Sequence, residues 1–112
     1  MNENKLSETI IGLAIKIHSI LGPGLLESAY EKALVYELTK NGFQVETQKS
    51  IHINYEGILI EEGYRADIIV NDLLILELKS VKQIEDIHLK HLLTYIRLSN
   101  KKLGLLINFN EI

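Results

Sequence analysis

Two apolar runs that read as neighbouring strands, Arg65-Ala66-Asp67-Ile68-Ile69-Val70 and Ile75-Leu76-Glu77-Leu78-Lys79, each carry charge where a core strand would carry none. Side chains two residues apart on a strand point the same way, separated by roughly 6 to 7 Å, so Glu77 and Lys79 share one face. Burying Asp, Glu and Lys side by side is costly unless they pair with one another or hold an ion. The loop between the runs decides whether they meet. A two-residue Asn71-Asp72 loop would set Asp67 opposite Leu76, on the other face from Glu77. A three-residue loop or an equivalent bulge pairs Asp67 with Glu77 and places both beside Lys79.

Two opposed carboxylates repel unless a cation separates them, and a cross-strand gap of about 5 Å suits an oxygen-liganded divalent ion such as magnesium or manganese. Lys79 would then stabilise developing phosphate charge or orient an attacking water. The same spacing equally serves an edge-strand salt bridge between Glu77 and Lys79, with Asp67 an ordinary strand-end residue. Spacing alone leaves both readings open. Glu27 and Tyr30, three apart near the start of a helix, share a face, and a carboxylate there is favoured by the helix dipole. Each also has a commoner use, Glu27 as a first-turn acid and Tyr30 as a core aromatic.

Composition narrows the chemistry. With 112 residues, 46% of them apolar, the chain has the size of one domain, expected to span 1–112, and can bury a real core. Twelve basic against 15 acidic side chains give a net charge of −3, so it lacks the overall positive field of a sequence-independent DNA coater. A local patch remains: Lys79, Lys82, Lys90, Arg97, Lys101 and Lys102 face only Glu85 and Asp86, with His88 and His91 between them. That stretch reads either as a phosphate-facing surface or as a solvated helix face. There is no cysteine, so disulfides, thiolate metal sites and cysteine nucleophiles are excluded, and any metal must be held by oxygen or imidazole. His88 and His91 are three apart, but a structural zinc site takes four ligands and no further cluster accompanies them. The apolar stretch Ile10–Leu21 is interrupted by Lys16 and His18 and is too short to span a bilayer, which leads to the expectation of a cytoplasmic protein without a membrane partner.

Leu6, Ile10, Leu13, Ala14, Ile17 and Leu21 recur at helical spacing, predicting a first helix that opens near Asn4 or Ser7 and stops at Gly22-Pro23-Gly24. A second helix is expected from about Leu25 to Lys40, with Leu26, Tyr30, Ala33, Leu34 and Leu38 inward, ending at Asn41-Gly42. Phe43–Thr47, Ile51–Tyr55 and Ile58–Ile60, turned at Glu56-Gly57, read as antiparallel strands continuing in a meander through the two charged runs. Ile84, Ile87, His88, His91, Leu92, Tyr95 and Leu98 restore helical spacing. His18 falls on the apolar face of the first helix as a hydrogen-bonded core or pocket residue. The uncharged run Leu105-Leu106-Ile107, with Phe109, reads as a final buried strand, reached by a right-handed crossover that makes it parallel.

The run Gly24-Leu25-Leu26-Glu27-Ser28-Ala29-Tyr30 matches a Gly-x-x-Glu-x-x-Tyr motif, and the chain resembles the GxxExxY proteins of the PD-(D/E)XK nuclease-like superfamily. The resemblance covers nearly the whole chain. It takes in His18 and Leu21–Gly24, Tyr64–Asp67, Glu77-Leu78-Lys79, Leu92-Leu93-Thr94-Tyr95 and Gly104–Phe109. It implies an α+β fold: a restriction-endonuclease-like αβββαβ core with a mixed sheet flanked by helices, preceded by an extra N-terminal helix. It further implies Glu27, Asp67 and Glu77 as acidic metal-site positions for magnesium or manganese, and Lys79 as the catalytic lysine. Tyr30, His91 and Tyr95 are expected at the substrate. Where the pattern offers a glutamine before the Leu-Leu-x-Tyr stretch, this chain has His91, whose imidazole can donate to phosphate or bind a metal.

The activity implied is divalent-metal-dependent hydrolysis of phosphodiesters in DNA or RNA. The alternative is a catalytically inactive module of the same fold that binds nucleic acid or a protein. Relatives of this type commonly continue into another short basic strand where this sequence stops, which leads to the expectation of an unprotected sheet edge. Such an edge invites a homodimer or a partner protein that supplies specificity.

Overall fold

In the computed structural model, which describes residues 2–110, nine elements follow one another: α1 (Glu3–Leu21), α2 (Glu27–Lys40), β1 (Val45–Ser50), β2 (Ile53–Tyr55), β3 (Ile58–Ile60), β4 (Arg65–Val70), β5 (Leu74–Lys79), α3 (Asp86–Leu98) and β6 (Leu103–Asn108). Four strands form a mixed sheet in the order β1-β4-β5-β6, antiparallel except for the β5–β6 pair. Helix α3 makes the crossover to that parallel strand. The α2-β1-β4-β5-α3-β6 order, with α1 ahead of it, is the restriction-endonuclease-like α+β arrangement.

The expected meander is interrupted. β2 and β3 pair only with each other, as a separate hairpin turned at Glu56-Gly57, and β1 passes over them to pair with β4. Alternation along the sequence describes each short strand but carries no information about which neighbour it finds.

Helix α1 opens earlier than its apolar spacing suggests, because the Asn2 side chain accepts the Lys5 N–H at 2.8 Å and so caps the first turn. Leu6, Ile10, Ala14 and Ile17 are buried as the spacing requires, whereas Leu21 and Leu26, expected inward, flank the turn into α2 and remain exposed. Helix α2 accordingly begins at Glu27, two residues later than expected. No helix among the described residues is long and apolar enough to cross a membrane.

Two apolar clusters occupy opposite faces of the sheet. Leu34 and Leu38 of α2 pack with Leu6 and Ile10 of α1 over Ile68, Val70, Leu74, Leu76 and Leu78. Leu92 of α3 closes the other face with Ile51, Ala66, Ile69 and Ile75. Gly104 lets β6 pass beneath α3: an added Cβ there would lie 2.6 Å from Ile96 Cδ1 and 2.8 Å from Leu92 Cδ1. All six residues of β6 are half-buried rather than buried, although Phe109 just beyond it is buried. Among the described residues no strand pairs with the outer edge of β6. His18 lines a groove between α1 and β6, as a pocket residue would, although its buried Nε2 has no hydrogen-bond partner among the described residues.

Candidate metal centre

The connection between β4 and β5 holds three residues, since Val70 pairs with Leu74. Asn71 and Asp72 both adopt left-handed backbone (φ 53° and 54°), which these two residue types tolerate well, and Leu73 is the extra residue. The odd loop sets the register Ile69–Ile75 and Ile68–Leu76, and its next step brings Asp67 opposite Glu77. There the side chains take over from the ladder. Asp67 N–H donates to Glu77 Oε1 at 3.3 Å, and Leu78 N–H donates to Asp67 Oδ2 at 2.8 Å.

The two carboxylates differ in environment. Glu77 is only 7% exposed, and its pKa is pushed up to about 8, first by burial and then by the neighbouring Asp67 charge. Lys79 pulls the other way but does not prevail, and among the described residues it makes no salt bridge. The edge-strand ion pair that the Glu-x-Lys spacing would also allow is therefore not formed.

Glu27 approaches from the far side of Asp67. Its Oε2 accepts the Ser80 N–H at 3.2 Å, and Ser80 Oγ donates to Leu25 O at 3.0 Å, so the start of α2 is tied to the end of the Glu77-x-Lys79 strand. Two hollows result, with Asp67 and Gln48 shared by both. One, of about 120 Å³, has Glu27, Ser28 and Glu31 on its wall. The other, of about 290 Å³, has Glu77 and Lys79 from β5, Arg65 at the start of β4, and His88, His91 and Tyr95 from α3. Asp67, Glu77 and Lys79 thus share one cavity, and Glu27 borders the adjoining one. Among the described residues no three His, Asp or Glu side chains converge as a ready-made ligand cluster.

The donor set nevertheless fits a small hard cation. Magnesium is commonly held by one or two carboxylates, with waters and substrate phosphate completing its shell, so two carboxylates suffice. Each carboxylate has one oxygen engaged by the opposite strand. Asp67 Oδ1 has only a 3.5 Å contact from Gln48 Nε2. A cation between the pair would relieve the repulsion that, together with burial, raises the Glu77 pKa.

Tyr30 departs from its expected place at the substrate. It is fully buried, its ring stacks on Phe109 (4.4 Å, planes within 5°), and its hydroxyl accepts the Leu25 N–H and donates to Gly22 O. It holds the turn whose Gly24 has φ 102° and so positions Glu27 from a distance. His91 and Tyr95 do line the larger cavity. Burial, followed by the Glu77, Tyr64 and Asp67 charges, raises the Tyr95 pKa, which keeps its phenol protonated as a donor.

Three further residues serve this site, and one of them, Gln48, carries no signal in the one-dimensional pattern. Gln48 lies in the middle of β1 with φ 49°, directly across from Asp67, and its amide donates to Glu31 Oε1 at 2.8 Å. Its unusual conformation is visible only in three dimensions. Asn108 exchanges hydrogen bonds with Val81, donating to its carbonyl at 2.9 Å and accepting its N–H at 3.1 Å, while Phe109 N–H donates to Lys79 O at 2.9 Å. These bonds fix the strand end that carries Lys79. His88 Nδ1 accepts the Glu85 N–H at 3.0 Å, so the neutral ring carries its proton on Nε2 and remains a donor at the cavity wall.

A carboxylate pair on adjacent central strands, a lysine two residues on, and a helix-borne acid tied to the same strand end coincide with the sequence comparison. The family model of the PD-(D/E)XK nuclease superfamily matches residues 4–112. Searches of curated proteins and of solved structures returned no match. With all but the first three residues covered by that model and the fold in agreement, the chain belongs to the PD-(D/E)XK nuclease superfamily.

Proposed function

We propose that the protein is a divalent-metal-dependent nuclease, with Asp67 and Glu77 as carboxylate ligands, Glu27 as the flanking acid and Lys79 as the catalytic lysine. The observation that carries the reading is the pairing of Asp67 with a buried Glu77 on a register set by the three-residue loop. A structural core has no use for such a pair, because burial and repulsion both oppose its charge. When bound, magnesium or manganese would polarise a phosphoryl oxygen and lower the pKa of a bound water.

The chain's own residues supply the remainder. The Leu78 and Asp67 N–H groups hold the two carboxylates at fixed angles, which lowers the reorganisation needed on loading. Lys79 follows Glu77 on the same strand face and provides positive charge for the pentavalent phosphate as it develops. His88 Nε2–H and the Tyr95 phenol are donors lining the same cavity, suited to non-bridging phosphate oxygens.

The test is cleavage of labelled DNA and RNA by purified protein in Mg²⁺ or Mn²⁺, beside Glu77→Ala and Lys79→Ala. Metal-dependent cleavage lost in both folded variants is the expected result. Equal residual cleavage in all three would identify a contaminant and overturn the assignment. Salt-dependent binding without cleavage would favour the inactive binding module instead.

A further inference from the structure

Phosphate chemistry does not by itself account for three neighbouring rings at this site, His91 and Tyr95 on the cavity wall and Tyr64 between the lining residues Gly63 and Arg65. His91 and Tyr95, one helical turn apart on α3, lie 6.3 Å between centroids with planes within 14°. Tyr64, just before β4, sits 6.3 Å from Tyr95 with its plane tilted by 54°. Both separations fall in the range of attractive aromatic pairs. Tyr95 packs against the apolar cluster beneath α3, which explains its presence as ordinary core. Neither Tyr64 nor His91 belongs to that cluster. Tyr64 is 43% exposed and His91 is also exposed, so both present ring surface to solvent beside the carboxylate pair.

We infer that this site takes unpaired nucleic acid, with bases stacked on Tyr64 and His91 while the adjoining phosphate reaches Arg65 and Lys79 beside the carboxylate pair. The inference rests on the nuclease reading and gives it a substrate class. In a duplex each base face is already covered by its neighbours, and only an unpaired or extruded base offers a π-face to a protein ring. Charge points the same way. A duplex carries one negative charge per about 1.7 Å of axis, and a chain of net charge −3 has little field with which to neutralise it. A single strand is less densely charged, and aromatic stacking supplies binding that does not depend on counterion release. Around the rings the cations are few and local, Arg65 and Lys79 among them, as a single phosphate track requires.

The experiment measures binding of the full chain to fluorescent 12-nucleotide oligodeoxyadenylate, oligoriboadenylate and a 12-base-pair duplex, by anisotropy in EDTA so that nothing is cut. Both single strands are expected to bind at least about tenfold more tightly than the duplex. Tyr64→Ala should weaken single-strand binding by about tenfold and Tyr64→Phe should restore it, because stacking needs the ring and not the hydroxyl. His91→Ala should weaken it as well. A ratio between the deoxy and ribo strands separates DNA from RNA as the source of the unpaired base. Equal or tighter binding of the duplex, no binding of any oligonucleotide, or indifference to Tyr64→Ala overturns the inference. A parallel Mn²⁺ titration of wild type, Tyr64→Ala and Glu77→Ala keeps the two readings apart. Loss of Mn²⁺ binding only in Glu77→Ala supports the metal site, and a wild type that binds no Mn²⁺ sinks it without touching the ring-dependent preference.

Discussion

Replacing Glu77 with Gln keeps the shape of the side chain and removes its charge, which turns the strain of the carboxylate pair into a measurable pH dependence. Burial and the Asp67 charge raise the Glu77 pKa from 4.5 to about 8. Between those two values the folded protein holds a proton that the unfolded chain has released. Stability from this group is therefore fully present below about pH 4.5 and is lost as pH rises through about 8. At 1.36 kcal/mol per pH unit the loss has an upper limit of about 5 kcal/mol, and about half that once water in the cavity and movement of Asp67 screen the charge. Urea unfolding of wild type and Glu77→Gln between pH 5 and 8.5 isolates the effect, because other titrating groups are common to both proteins. The variant should match wild type near pH 5 and exceed it by about 2 to 3 kcal/mol near pH 8.5. Saturating Mn²⁺ at pH 7.5 should reverse the order, since a hundredfold excess over Kd stabilises a binder by about 2.7 kcal/mol and the variant has lost a ligand. Parallel pH profiles separated by a constant gap would refute the claim that Glu77 is held against its charge.

Two further substitutions test how the site is supported. Tyr30→Phe leaves the Leu25 N–H and Gly22 carbonyl without their shared partner, which should cost about 1 to 3 kcal/mol, seen as a lower urea midpoint with an unchanged m-value. Gly104→Val forces branched carbons toward Ile96 and Leu92 and should destabilise by about 1 to 3 kcal/mol, with α3 and the single-strand affinity disturbed together; wild-type stability would show that α3 can slide freely over β6.

Local chemistry was legible from residue order where the cause is local. The 3.6-residue recurrence of Leu6, Ile10, Ala14 and Ile17 determines the buried face of α1, and glycines at 22 and 24 end it, because both effects operate within a turn or two. The loop length after Val70 could be argued from the sequence because a one-residue slip would move Asp67 to the wrong face. The cap at Asn2 lies outside the apolar pattern, because hydrophobic spacing marks where the core begins, not where the helix does.

What only the tertiary structure decided are the relations between segments distant in sequence. Nothing local distinguishes β2 as a neighbour of β1 from β2 as half of a separate hairpin, since both satisfy the same alternation. Tyr30 reads equally well as a core or a substrate residue until Phe109, from the far end of the chain, is found stacked against it. The clamp of Glu27 on Ser80 and the left-handed Gln48 opposite Asp67 likewise join residues that the chain holds apart. The sequence by itself determined which groups carry charge into the sheet and that only a three-residue loop or an equivalent bulge would set them face to face; the strand pairing decided that this register is the one formed. The packing of α2 and α3 on opposite faces decided how far each is desolvated and which rings stand beside them, because burial and proximity belong to the assembled surfaces and not to any one segment.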